Sequence, residues 1–160
     1  MSNLHIKAIT AADLPVIARL AEQGFKDFYS FDWQENARAL LKASQESRVV
    51  VAVAEKEGDV VAYCNLRAWP AGGWIDQIVV DEKHRRKGIG QALIDYIVDK
   101  AKEKEFWKIS LIVSASDTAA TAFYEKYGFE AVGRMKDEIK KGQDGILLSY
   151  IVGYELHPNK

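Results

Sequence analysis

Residues 74–116 carry the pattern that most restricts the fold. WIDQIVV (74–80) reads as a strand, and a basic, glycine-containing turn follows it. From Gly88 to about Lys104, Ile89, Leu93, Ile94, Ile97, Val98 and Ala101 recur at helical spacing. KISLIVSAS (108–116) is then too apolar for an exposed strand and reads as buried. A strand, a helix and a second strand in succession imply at least one parallel pair joined by a right-handed crossover.

The flanks add antiparallel elements. LHIKAIT (4–10) reads as a short strand, and Thr10 is expected to cap a helix through about Gly24 with Leu14, Ile17, Leu20 and Ala21 on one face. Asp32 is expected to cap a second helix that ends near Ser44. Residues 48–69 read as a β-hairpin turned at Lys56-Glu57-Gly58-Asp59, and Pro70-Ala71-Gly72-Gly73 breaks the chain before the strand at 74. Asp117 caps a helix to Tyr127, with Gly128 as its stop. EAVGRMKDEI (130–139), a turn at 141–145 and ILLSYIVGYEL (146–156) form a last hairpin. The fold class is therefore α/β, a mixed and mostly antiparallel sheet with helices on its faces. No repeat, low-complexity tract or linker interrupts the 160 residues, so a single domain over 1–160 is expected.

Composition narrows the function. The net charge is −1 at pH 7, so nucleic acid is not the expected partner. No apolar run approaches the ~18 residues of a membrane span, and MSNLHIK lacks the apolar core of a signal peptide. Cys64 is the one cysteine, which excludes an internal disulfide and fits the cytoplasm. His5, His84 and His157 are scattered, so no metal site is expected.

Positive charge in this near-neutral chain gathers at HRRKGIGQAL (84–93). A helix start leaves main-chain N–H groups unpaired and carries roughly +0.5 charge. It holds an anion if side chains stay clear. Gly88 and Gly90 have no Cβ, and Arg85, Arg86 and Lys87 raise the local potential. The sequence lacks the P-loop pattern, and Leu93 stands where the dinucleotide pattern needs its third glycine. By itself the turn could equally be a tight reversal with a solvated basic run.

Arg85-Arg86-Lys87-Gly88-Ile89-Gly90 fits R-x-x-G-x-G, and DTAATAFYEKYGF (117–129) follows downstream. The pair, in that order with a buried strand between them, resembles the two signatures of the GNAT superfamily of N-acetyltransferases. The element order agrees over nearly the whole chain. The resemblance implies acetyl-CoA as cosubstrate and transfer of its acetyl group to a primary amine of a small molecule or protein. It implies that Ile78, Val79 and Val80 pair through their main chain with the pantetheine arm, while their side chains pack. Amides from Arg86 through Lys87, Gly88, Ile89 and Gly90 to Gln91 would hold the pyrophosphate, with Arg85 nearby.

Tyr124 matches the family tyrosine that protonates the departing thiolate; a core tyrosine between Phe123 and Tyr127 is the other reading. A phenol near ~10 can protonate a thiolate whose conjugate acid lies near ~8.5 at modest cost. Asp117 stands where the family has Asn, which removes an amide donor to the cofactor and leaves helix capping. Trp74 and Ile112 occupy the positions where some members carry a catalytic Glu. Asp76 is then the nearest carboxylate on the strand to act as base, with Asp27, Asp32 and Glu35 as rivals. If the strand is regular, Asp76 shares a face with Ile78 and Val80; a bulge would change that parity. A main-chain N–H near Val79 or Val80 would hold the oxyanion.

The acceptor side implied by the resemblance includes Phe25, Phe28, Tyr29, Phe31 and Trp33, with residues 140–144 at the far edge. Trp33, beside Asp32, is the expected exposed member. Cys64 lies in an apolar strand with no evident base and reads as a buried thiol. The competing reading is a non-catalytic acyl-CoA sensor or interaction module. Homodimerisation is a family expectation only.

Overall fold

The protein is described from a computed structural model over residues 3–153; the end of the expected last strand (154–156) and His157 lie outside the described residues. Those residues form a mixed α/β fold with four α-helices and eight strands. They fall into two compact units, residues 3–68 with Ile75–Ile97, and Trp69–Trp74 with residues 98–153.

In the first unit, β1 (Leu4–Ala8) pairs antiparallel with β2 (Val49–Lys56), and β2 with β3 (Asp59–Trp69). Glu57 (φ 54°) and Gly58 (φ 88°) turn the β2–β3 hairpin, both in the left-handed region that two-residue hairpin turns require. Helices α1 (Leu14–Phe25) and α2 (Trp33–Gln45) bury Ile17, Leu20 and Ala21, and Ala37 and Leu40, against Val51, Val53 and Tyr63. Asp32 caps α2 as expected, its carboxylate accepting from the Glu35 N–H at 3.0 Å.

Thr10 stands at the expected N-cap, but what it caps directly is a 3-10 turn. It precedes a 3-10 turn (Ala11–Asp13), and α1 begins only at Leu14. The buried Asp13 carboxylate accepts from the Thr10 N–H (2.8 Å), the Thr10 hydroxyl (3.1 Å) and Lys7 (2.7 Å). The Thr10 N–H bond to Asp13 is one arm of a capping box, and Lys7 adds a charge-assisted bond to the same oxygen.

In the second unit, β4 (Gly72–Trp74) runs parallel to β6 (Lys108–Ser114) through Gly73↔Ile109 and Trp74↔Ser110. This is the expected parallel pair. Gly72 has φ +124°, and a Cβ there would collide with the Lys108 carbonyl oxygen. β6 also pairs antiparallel with β8 (Gln143–Ile151), and β8 with β7 (Glu130–Lys140). Helix α4 (Thr118–Tyr127) stops at Gly128, whose φ of +125° few side chains tolerate and whose amide donates back to the Tyr124 carbonyl.

Helix α3 (Ile89–Glu103) buries all six apolar residues expected of it. The strand expected over 74–80 is broken. Its ends are β4 and a separate strand β5 (Ile78–Val80), which pairs with β3, and Ile75–Gln77 between them is not strand.

Candidate active site

The register of β5 decides which of its main-chain groups are open to a ligand. β5 meets β3 at Ala62↔Val80, Tyr63↔Val79 and Cys64↔Ile78. Beyond the ends of that ladder, the Asn65 N–H donates to the Gln77 carbonyl (3.1 Å) and the Asp81 N–H to the Val61 carbonyl (2.8 Å). Residues bonded to an antiparallel partner alternate with residues turned away. Gln77, Val79 and Asp81 therefore address β3, and Ile78 and Val80 direct their N–H and C=O groups to the opposite side. The Val79 side chain is buried in the core, where Gly24 of α1 closes on it: a Cβ on Gly24 would stand 3.0 Å from Val79 Cγ2.

The turn beyond β5 is built from Asp81. This buried carboxylate accepts from the Lys83 N–H (3.1 Å) and from Arg19 (3.2 Å), and a 3-10 turn over Glu82–His84 follows. Burial would raise the Asp81 pKa, but the Lys83 amide and the Arg19 guanidinium outweigh it and hold the carboxyl below its ordinary value. Arg85 donates from Nε to the Val80 carbonyl at 3.2 Å. Arg86 (φ 61°) and Gly88 (φ 79°) then take left-handed backbone. Arg85, Arg86, Lys87 and Gly88 are exposed, whereas Ile89 anchors the helix start in the core. A Cβ on Gly88 would meet nothing within 4 Å. Ala92 donates to the Gly88 carbonyl at 3.0 Å, so the amides of Ile89, Gly90 and Gln91 precede the first intrahelical donor. Free amides, open space and three cations at one helix start suit a diphosphate.

Asp76 sits in the interruption between β4 and β5, so the strand parity expected of it does not apply. Its Oδ2 accepts from Arg67 Nε (2.7 Å) and Asn65 Nδ2 (3.1 Å). Among the rivals, Asp32 is engaged as the α2 cap. Beside Asp76 lies a polar cluster that sequence reasoning missed. Gln77 Oε1 accepts from the Tyr63 hydroxyl (2.7 Å) and Asn36 Nδ2 (3.3 Å), and Gln77 Nε2 donates to Asn36 Oδ1 (2.9 Å). The available signal was Asn65, a lone amide in the otherwise apolar run VVAYCNL. Cys64 is buried, and burial pushes its thiol well above the ordinary range, so it is no nucleophile.

In the second unit, Tyr124 on α4 is buried, with its ring edge-on to Phe123 (5.1 Å) and Phe129 (5.4 Å). Asp117 caps α4 by accepting from the Ala120 N–H at 3.0 Å. At the β7–β8 turn a cavity of about 390 Å³ is lined by Ser114, Ser116, Arg134, Gln143 and Asp144. Asp144 is paired with Arg134 (2.7 Å); the Asp137 amide first and then Arg134 hold its carboxyl below the ordinary value.

The aromatics before α2 form one array. Phe25 stacks on Trp33 (6.1 Å) and Tyr29 on Phe31 (5.5 Å), with Phe31 edge-on to Trp33 (5.5 Å). Phe28 is half-buried. Phe31, at 60% exposure, is the open member. Trp33 is not, because it begins α2 and packs against the core beside Phe25.

A helix start suited to a diphosphate thus follows a strand whose main chain is open on one side, which defines a candidate site for a phosphate-bearing ligand. The Acetyltransferase (GNAT) family model matches residues 18–129. The ribosomal protein bS18-alanine N-acetyltransferase of Escherichia coli K12 is 26% identical over 78% of this chain and 79% of its own. An N-alpha-acetyltransferase of Sulfurisphaera tokodaii is 30% identical over 66% of this chain and 71% of its own. The crystal structure of the ribosomal-protein-S18-alanine N-acetyltransferase from Escherichia coli superposes with a TM-score of 0.77 at 21% identity, covering 98% of this chain and 99% of that one. The chain belongs to the GNAT acetyltransferase family. It is an N-acetyltransferase that takes its acetyl group from acetyl-CoA and delivers it to an amine.

Proposed function

We propose that the preferred acceptor is the α-amino group of a protein or peptide, acetylated by direct transfer. The observation that carries this reading is the engagement of Asp76 with Arg67 and Asn65. Asp76 Oδ2 already accepts two hydrogen bonds, which occupy the lone pairs that would otherwise take a proton from an incoming amine. An α-amine with pKa near ~7.8 is about a quarter unprotonated at neutral to slightly alkaline pH, whereas a lysine amine near ~10.4 is roughly 0.1% so. A site whose strand carboxylate is engaged in this way therefore favours the α-amine. Trp74 and Ile112, where the resemblance would place a Glu, point the same way. One relative named for an alanine of ribosomal protein bS18 and another named an N-alpha-acetyltransferase add support.

Acetyl-CoA supplies the activated thioester. The amides of Ile89, Gly90 and Gln91, with Arg85, Arg86, Lys87 and Gly88 around them, bind its diphosphate. Ile78 and Val80 bind its arm through their outward N–H and C=O groups, while Val79 secures the strand to the core. The Val80 N–H donates to the thioester oxygen as charge grows there, and the Tyr124 hydroxyl protonates the departing sulfur. A new C–N bond replaces the C–S bond, and the amine proton leaves to solvent. Asp117 serves as the α4 cap. Phe28, Tyr29 and Phe31 contact the acceptor, with Trp33 as their backing. The family match spans residues of both compact units, which supports one acetyltransferase domain over 1–160.

The test is a screen of peptides with free or blocked α-amines, free lysines and polyamines, scored by thiol release and the mass of one acetyl group. Free α-amine peptides should turn over fastest. Equal or faster turnover of lysine-only peptides or polyamines would overturn the assignment.

A further inference from the structure

We propose that Asn65 is a positioning residue: its side chain breaks the strand at residues 76–77 and thereby sets which β5 amides face the cofactor arm, with Asp76 as its fixed partner. This rests on the acetyl-CoA reading above. Asn65 Oδ1 accepts from two successive amides, Asp76 N–H (3.1 Å) and Gln77 N–H (2.7 Å). In an extended strand successive N–H groups point to opposite sides, so two of them can converge on one oxygen only where the chain bends. The side chain therefore holds the bend from its inner side.

The same carboxamide oxygen takes the place of a main-chain carbonyl. Asn65 and Gln77 would extend the β3–β5 ladder as a doubly bonded pair, and one half of that pair is present, from Asn65 N–H to the Gln77 carbonyl. The other half runs to Oδ1. The Asn65 carbonyl so released lies 3.8 Å from the Cys64 sulfur, which can donate to it. Asn65 is 2% exposed, so water does not compete for these bonds.

Asp76 holds the carboxamide the right way round. Asn65 Nδ2 donates to Asp76 Oδ2, and Arg67 fixes that carboxylate from the next outward position on β3. Gln77 secures the other end of the bend to Tyr63 on β3 and Asn36 on α2. Beyond the bend the strand has one parity only. A slip of one residue would turn the Ile78 and Val80 groups toward β3 and take the Val79 side chain out of the core.

The test compares acetyl-CoA with 3′-phospho-ADP, its nucleotide half, by calorimetry. Asn65→Leu should weaken acetyl-CoA about tenfold or more, the loss of one to two main-chain hydrogen bonds, while 3′-phospho-ADP changes by less than about twofold. Asn65→Asp alone sets two carboxylates together and should also weaken acetyl-CoA. Adding Asp76→Asn restores the carboxylate–carboxamide pair in reverse and should return the affinity to near wild type. Wild-type affinity in Asn65→Leu, equal weakening of both ligands, or no rescue by the swap would overturn the proposal. If Asn65→Leu does not fold, the Asp variant and the swap still decide. Wild-type protein that binds 3′-phospho-ADP but not acetyl-CoA, or neither, would overturn the acetyl-CoA reading itself and this inference with it.

Discussion

Gly88→Ala separates the cost of backbone strain from the loss of a ligand site, because the fold supplies a matched control. Gly88 has φ +79° and Gly58, in the β2–β3 turn, has φ +88°; a Cβ on either meets nothing within 4 Å. Alanine at both positions suffers the same left-handed penalty, about 1–2 kcal/mol, with no clash to add. For a chain of this size each kcal/mol lowers Tm by roughly 2–4 °C, so the two variants should melt within a few degrees of each other. Their ligand affinities should differ sharply. If a bound diphosphate fills the open space beside Gly88, the methyl group of Gly88→Ala displaces it from the amides. A charge-assisted hydrogen bond contributes about 1.5–3 kcal/mol, so losing one weakens acetyl-CoA roughly ten- to hundredfold. Gly58→Ala should bind as wild type does. Scanning calorimetry and titration calorimetry on the two variants measure both quantities. If Gly88→Ala binds acetyl-CoA as tightly as Gly58→Ala, the open space before α3 is not the diphosphate site.

Three further outcomes are expected. Tyr124→Phe should lower kcat by about 10²–10⁴-fold, the range of positioned acid catalysis, with acetyl-CoA affinity little changed; an unchanged kcat would leave Tyr124 as a packing residue. Gly90→Asp, which puts bulk and negative charge at the proposed diphosphate site, should abolish acetyl-CoA binding in calorimetry. The Asp81 pKa is depressed by folding, so its stabilising effect is full above the unfolded value near ~3.9 and is lost as pH falls through the folded value. Wild type should therefore unfold at higher urea than Asp81→Asn at pH above about 5, and the two midpoints should converge toward pH 2; parallel curves would refute the assignment.

What was legible in the sequence was what depends on period and punctuation. The α3 stripe from Ile89 to Ala101 follows from helical spacing, and all six residues are buried. Asp32 and Asp117 were readable as caps because capping is local. The R-x-x-G-x-G turn was readable because glycine beside a helix start has a direct physical meaning. The misread elements depend on partners distant in sequence. WIDQIVV looks like one strand until Asn65, more than ten residues earlier, draws two of its amides onto one oxygen. Thr10 reads correctly as a cap, but nothing local shows that the first turn it caps is 3-10, with Asp13 held by Lys7. Trp33 looked exposed beside Asp32, yet it packs with Phe25 while Phe31 stands open, a choice made by α1 and α2 together.

The alternation along β5 bears on how such a protein can change over time. In the proposed cofactor binding, peptide units, which every amino acid except proline supplies alike, would make the outward contacts at Ile78 and Val80. Point replacement of those two side chains would therefore leave the grip on the thioester arm nearly untouched. An amide-to-ester exchange at Val80, which deletes one N–H and keeps the isopropyl group, is the change that would expose it.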